Sequence, residues 1–76
     1  MIAEHERVVL LKDLPELGLE RGDLGVVVHV YPDAAAYAIE FLALDGETID
    51  VVTLAATQVR PVEAREIAHA RKVRAA

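Results

Sequence analysis

Three imidazoles, thirteen carboxylates and one pair of closely spaced glycines are the groups in this chain that could do chemistry. His5, His29 and His69 fall in the N-terminal arm, in a strand-like run and in the tail, with no ligand spacing between any two. A metal site needs donors that converge on one point, and a general base needs a positioned partner; the spacing offers neither. Ser and Cys are absent and Thr occurs only at 48, 53 and 57. An activated hydroxyl or thiolate nucleophile therefore has no material. Asp45, Glu47 and Asp50 suit turn and outer-face positions better than an acid/base pair. The expectation is a protein that is not an enzyme, with no catalytic residue, no cofactor and no metal.

The glycine pair, Gly22-Asp23-Leu24-Gly25, lacks the third glycine and following helix of a dinucleotide fingerprint and the Gly-Lys-Ser/Thr of a P-loop. It precedes β-branched residues, whereas a phosphate site needs a helix N-terminus. Glycine is expected here to supply positive φ where a long loop turns into a strand. The tripeptide Arg21-Gly22-Asp23 has no extracellular context in a Cys-free acidic chain.

Five strand-like runs must position these groups. Val8 to Leu11, Val26 to Tyr31, Ala36 to Ala43, Thr48 to Leu54 and Val59 to Val62 are rich in β-formers. Tyr37, Ile39 and Phe41 alternate onto one face, and Ile49, Val51 and Thr53 are expected to share one too. Asp45-Gly46 marks a hairpin. His29 is expected on the outer face. "KDLPELGLERGD" is a long loop broken by Pro15, Gly18 and Gly22, and its leucines at 14, 17 and 19 predict that it folds back over the core. Five short strands with one long early loop predict a mainly β fold, a five-stranded SH3-like barrel over residues 1–62. Residues 63–76 form a tail with acidic groups early, basic groups late and Ile67, Ala70 and Val73 at steps of three. That pattern predicts a short C-terminal helix where the segment docks, and a frayed tail where it does not.

Charge divides the chain the same way. Residues 1–59 carry eleven acidic and three basic groups, net −8, whereas residues 60–76 carry two acidic and five basic, net +3. An acidic body disfavours nucleic acid and favours a basic protein partner. The longest apolar runs, "VVLL" and "VVVHVY", are too short to cross a bilayer and the first residues are acidic rather than basic. A soluble cytoplasmic protein, without a membrane partner, is expected. Tyr31 and Tyr37 are too few for the aromatic groove that reads Pro-rich peptides.

"ERGDLGVVVHV" is similar to the KOW motif of ribosomal and transcription-factor barrels, whose basic loops imply RNA binding. Here the glycines are flanked by Glu20, Asp23 and Asp33, with only Arg21 basic. More extensively, residues 4–62 resemble a bacterial family of small barrels known as domain of unknown function 4926. The resemblance rests on Asp13-Leu14-Pro15, the Gly22–Val28 run, His29–Asp33, Ala36–Phe41, Asp45–Thr48 and Val59–Pro61, in that order. Members are often encoded beside another small protein, which implies an antitoxin- or immunity-type partner. The chain departs from the family at "PDAAAY", where Gly and an acidic residue are usual, and in the tail from Glu63 onward.

The expected function is a non-enzymatic protein-binding module, with Asp13, Glu16, Glu20, Asp23 and Asp33 steering a basic partner. The alternatives are a structural homo-oligomerising domain and a KOW-like RNA-binding barrel.

Overall fold

The β-branched runs and the alternating segment become five strands: β1 (Arg7–Leu10), β2 (Leu24–Val30), β3 (Ala36–Leu42), β4 (Thr48–Ala55) and β5 (Val59–Pro61). The computed structural model describes residues 2–73. All pairings are antiparallel and the sheet order is β4-β3-β2-β1-β5. The two edge strands, β4 and β5, are joined by a single 3₁₀ turn, Ala56–Gln58. A flat sheet would hold them about four strand spacings apart, roughly 19 Å. The chain from Ala55 to Val59 spans at most ~14 Å extended, and less as a 3₁₀ turn. The sheet must therefore curl until its edges approach. Leu54 of β4 and Val59 of β5 accordingly enter one core with Val8, Leu10, Val27, Tyr37, Ile39 and Phe41. No backbone ladder joins β4 to β5 among the described residues, so side-chain packing completes the barrel.

Two β-bulges set which residues face inward. One falls between Val27 and His29, leaving both Val28 and His29 exposed, as expected for the histidine. The other falls between Phe41 and Leu42 of β3, opposite Asp50 and Thr48, and makes Ile49 the extra residue. The expected face of Ile49, Val51 and Thr53 is corrected accordingly. Ile49 packs on the core with Val52 and Leu54, while Val51 and Thr53 are exposed. An inserted residue reverses the strict alternation on which the expectation rested.

The glycines divide by role. Gly22 has φ of +96°, the expected left-handed entry to β2. Gly25 does not need positive φ. A Cβ there would collide with Ile39 Cγ2 and lie 3.2 Å from both the Glu40 carbonyl oxygen and Phe41 Cε1. Its hydrogen lets β3 approach β2 at the Gly25–Phe41 pair. The β3–β4 hairpin runs through Ala43–Glu47, closed by Gly46 N–H to Ala43 O (2.9 Å) and Ala43 N–H to Glu47 O (2.8 Å). The β2–β3 turn holds Asp33 and Ala34 at φ of +63° and +51°. Ala34 therefore takes a conformation glycine would adopt without steric cost, in the turn where the chain departs from the pattern it resembles.

The N-terminal arm is part of the barrel. Ile2 is buried in the core, and His5 N–H donates to Val27 O (2.7 Å) while Glu6 O accepts from Val27 N–H (3.0 Å). The tail is not helical between 63 and 73. A turn at Ala64–Arg65, with Arg65 at φ of +68°, interrupts it, and Ile67 of the expected apolar stripe is 93% exposed. Its charges pair with the barrel instead of along a helix. The helical branch of the expectation is thus corrected over these residues, and Arg74, Ala75 and Ala76 lie outside the described segment.

Candidate functional site

The long loop between β1 and β2 is built from its leucines. Leu14 and Leu19 pair as an isolated bridge (2.9 and 3.2 Å) and both are buried, as the spacing of apolar residues predicted. Between them Pro15–Leu17 makes a 3₁₀ turn that ends at Gly18, φ +72°. The returning half is stitched to β1 by Gly22 N–H to Leu10 O (2.8 Å) and Leu10 N–H to Asp23 O (2.9 Å). Side chains fasten it further: Asp13 Oδ1 accepts from Arg21 N–H (2.9 Å), and Asp23 Oδ2 accepts from Glu20 N–H (2.8 Å).

This scaffold aims the Gly18 carbonyl and the Glu20 and Asp23 carboxylates at one point, and Arg71 of the tail occupies it. Arg71 Nε donates to Asp23 Oδ1 (2.9 Å) and Nη2 donates to Asp23 Oδ2, a side-on bidentate grip. Nη2 also donates to Gly18 O (3.1 Å), and Nη1 lies 3.6 Å from Glu20 Oε2. The Arg71 and Asp23 side chains are 26% and 20% exposed, so the pair is partly withdrawn from water. The hydrogen bonds to Asp23 raise the guanidinium pKa further, burial opposes that, and the nearby Asp23 and Glu20 charges add to it. A planar fork gripped by a carboxylate on one side and a carbonyl on another is selective for arginine over lysine.

Residues 68–73 line an open groove of about 550 Å³ together with the start of β2 and the β3–β4 hairpin. Leu19, Leu24, Phe41 and Leu42 are among its apolar lining residues, and Asp23 lines it too. A second fastening lies upstream. Arg60 of β5 grips Glu66 with both Nη atoms (2.8 and 2.6 Å), and Glu66 Oε1 also accepts from Glu63 N–H (2.6 Å). The hydrogen bond from Arg60, then the one from Glu63, lowers the Glu66 carboxyl to about 2.

The five acidic residues singled out in the sequence do not form one cluster. Glu20 and Asp23 converge on Arg71, and Asp13 spends one oxygen on the backbone of Arg21. Glu16 projects from the 3₁₀ turn of the same loop, exposed. Asp33 lies beyond the opposite end of β2, a seven-residue strand away, roughly 20 Å by strand rise. Sequence reading missed Arg71, the Gly18 carbonyl and the Arg60–Glu66 pair. The charge asymmetry between body and tail was the available sign of Arg71 alone.

Among the described residues no three His, Asp or Glu side chains are placed to hold a metal ion, and no helix is long and apolar enough to cross a membrane. A family model described as Domain of unknown function (DUF4926) matches residues 4–61. No curated protein and no solved structure matches the chain.

Proposed function

The chain belongs to the DUF4926 family, and from that premise we propose a non-enzymatic barrel that binds a basic protein through an arginine seated in its long loop. The observation that carries the reading is the guanidinium seat itself: one carboxylate gripping side-on, one backbone carbonyl and a second carboxylate, beside an apolar groove. Such a seat supplies orientation through its planar hydrogen bonds, and the groove supplies apolar area for affinity. The net −8 of residues 1–59 adds attraction at longer range. The setting we propose is the bacterial cytoplasm, with a partner of the antitoxin or immunity type.

Affinity capture with the wild-type chain and with Asp23→Asn tests this. A basic protein retained by the wild type, released at high salt and not retained by Asp23→Asn is the expected result. Equal recovery on both chains would remove the seat from the interface. A second reading, self-association, is favoured by β4, whose outer edge carries no ladder among the described residues and whose Val51 is 54% exposed. Sedimentation over a wide concentration range decides it, since a monomer throughout would exclude edge pairing.

A further inference from the structure

The seat is already filled, and by the chain's own tail. Residues 62–70 are exposed throughout, so the segment that carries Arg71 to the seat contributes little to the core. All the core residues lie between Ile2 and Val59. The ten residues after Pro61 nevertheless follow a defined path, because Arg60 holds Glu66 and the seat holds Arg71. A segment fastened at two points by side-chain ion pairs, with its intervening backbone in solvent, is a strap rather than a structural element.

We propose that residues 63–73 are a built-in competitive ligand: the tail places Arg71 in the seat in cis, and a partner arginine gains access only by displacing it. This rests on the reading of the seat as the barrel's partner site. Ala68 to Val73 line the groove together with Leu24 and Leu42, so displacement leaves that surface open to a partner and frees Asp23. Partner and strap thus compete for the same charges and the same apolar surface. A short flexible tether gives the cis segment an effective concentration on the order of millimolar. A strap whose intrinsic Kd is about a tenth of that value weakens a competing ligand about tenfold. The Arg60–Glu66 pair sharpens the competition by shortening the free tether to the residues between Glu66 and Arg71.

The experiment is a titration of a fluorescent, end-blocked peptide of residues 67–73 (IAHARKV) against the full chain, followed by anisotropy. Arg71→Ala in the full chain empties the seat and should bind the peptide about tenfold more tightly than the wild type. Glu66→Gln leaves the seat intact and lengthens the tether, so an increase of about two- to threefold is expected. The same peptide with alanine in place of its arginine should bind none of the chains. Equal affinity for wild type and Arg71→Ala would overturn the competitive strap while leaving the seat reading in place. Binding of the arginine peptide to neither chain would overturn the seat reading, and the strap with it. Circular dichroism of each variant guards against misfolding, and Glu66→Gln tests the strap without touching the seat or the core.

Discussion

The barrel and the strap are held by opposite kinds of force. The barrel is held by apolar contacts among Val8, Leu10, Val27 and Ile39, each fully buried, and by the backbone ladders that join its five strands into one sheet. The strap has no ladder and contributes no core residue among those described; its fastenings are Arg60–Glu66 and Arg71–Asp23. Apolar burial carries no charge to titrate and is strengthened by kosmotropic salts such as sulfate, whereas partly exposed ion pairs weaken with ionic strength. The same chain therefore carries a domain that stays folded under conditions that release one of its own segments. That separation is what a displaceable strap requires.

The comparison breaks most severely at Ile39. Truncation to Ala should cost about 2–5 kcal/mol by urea denaturation, much of the ~4–11 kcal/mol expected for a domain of this length. A loss below about 1 kcal/mol would mean the site collapses around the cavity. Gly25→Ala should follow at about 1–3 kcal/mol, because its methyl must displace Ile39 or Phe41. Combined with Ile39→Ala it should cost less than the sum, since that variant removes the Cγ2 it strikes. Ala34→Gly acts in the opposite direction. Relief of the left-handed alanine, less the extra freedom of glycine when unfolded, should stabilise the barrel by about 0.5–1 kcal/mol.

Changes in the strap should leave the barrel almost untouched. Arg71→Ala is expected to hold the unfolding free energy from urea denaturation within about 0.5 kcal/mol of wild type, while amide exchange between 63 and 73 accelerates. A large loss of stability would make the tail a structural part of the barrel. Acid sharpens the distinction. Arg60 holds the Glu66 carboxyl at about 2 against an ordinary 4.5. A group whose pKa is lowered on folding contributes above its unfolded value and is lost as pH falls through its folded value. The Glu63–Glu66 turn should therefore stay fastened above about pH 4.5 and open between there and about pH 2. Following the Glu66 side-chain carbon by NMR would check it; titration at an ordinary carboxyl pKa would mean that Arg60 does not hold Glu66 in solution.

Local pattern sufficed wherever a residue's partner was its near neighbour in the chain. Val26 to Val30 and the alternating Tyr37, Ile39 and Phe41 announce strands because β-branched and aromatic residues fit a pleated, half-buried surface. Gly22 and Gly46 announce turns because only glycine takes φ near +95° without steric cost. The leucines of the long loop announce their burial for the same reason any dense apolar run does. Each of these preferences is carried by the residue itself, and the sequence by itself determined them.

Tertiary structure alone decided the rest. Ile49 turns inward because a bulge, a property of two paired strands, adds one residue to one of them. Gly25 is needed for what stands across from it in β3 rather than for its own φ. In the tail, acidic groups ahead of basic ones suit a helix dipole, yet Glu66 finds Arg60 and Arg71 finds Asp23, a partner 48 residues away. Charge acts through space and carries no period along the chain, so its sign and amount are legible in a sequence and its pairing is not. A guanidinium seat exists only when a curled sheet brings loop and tail to one place.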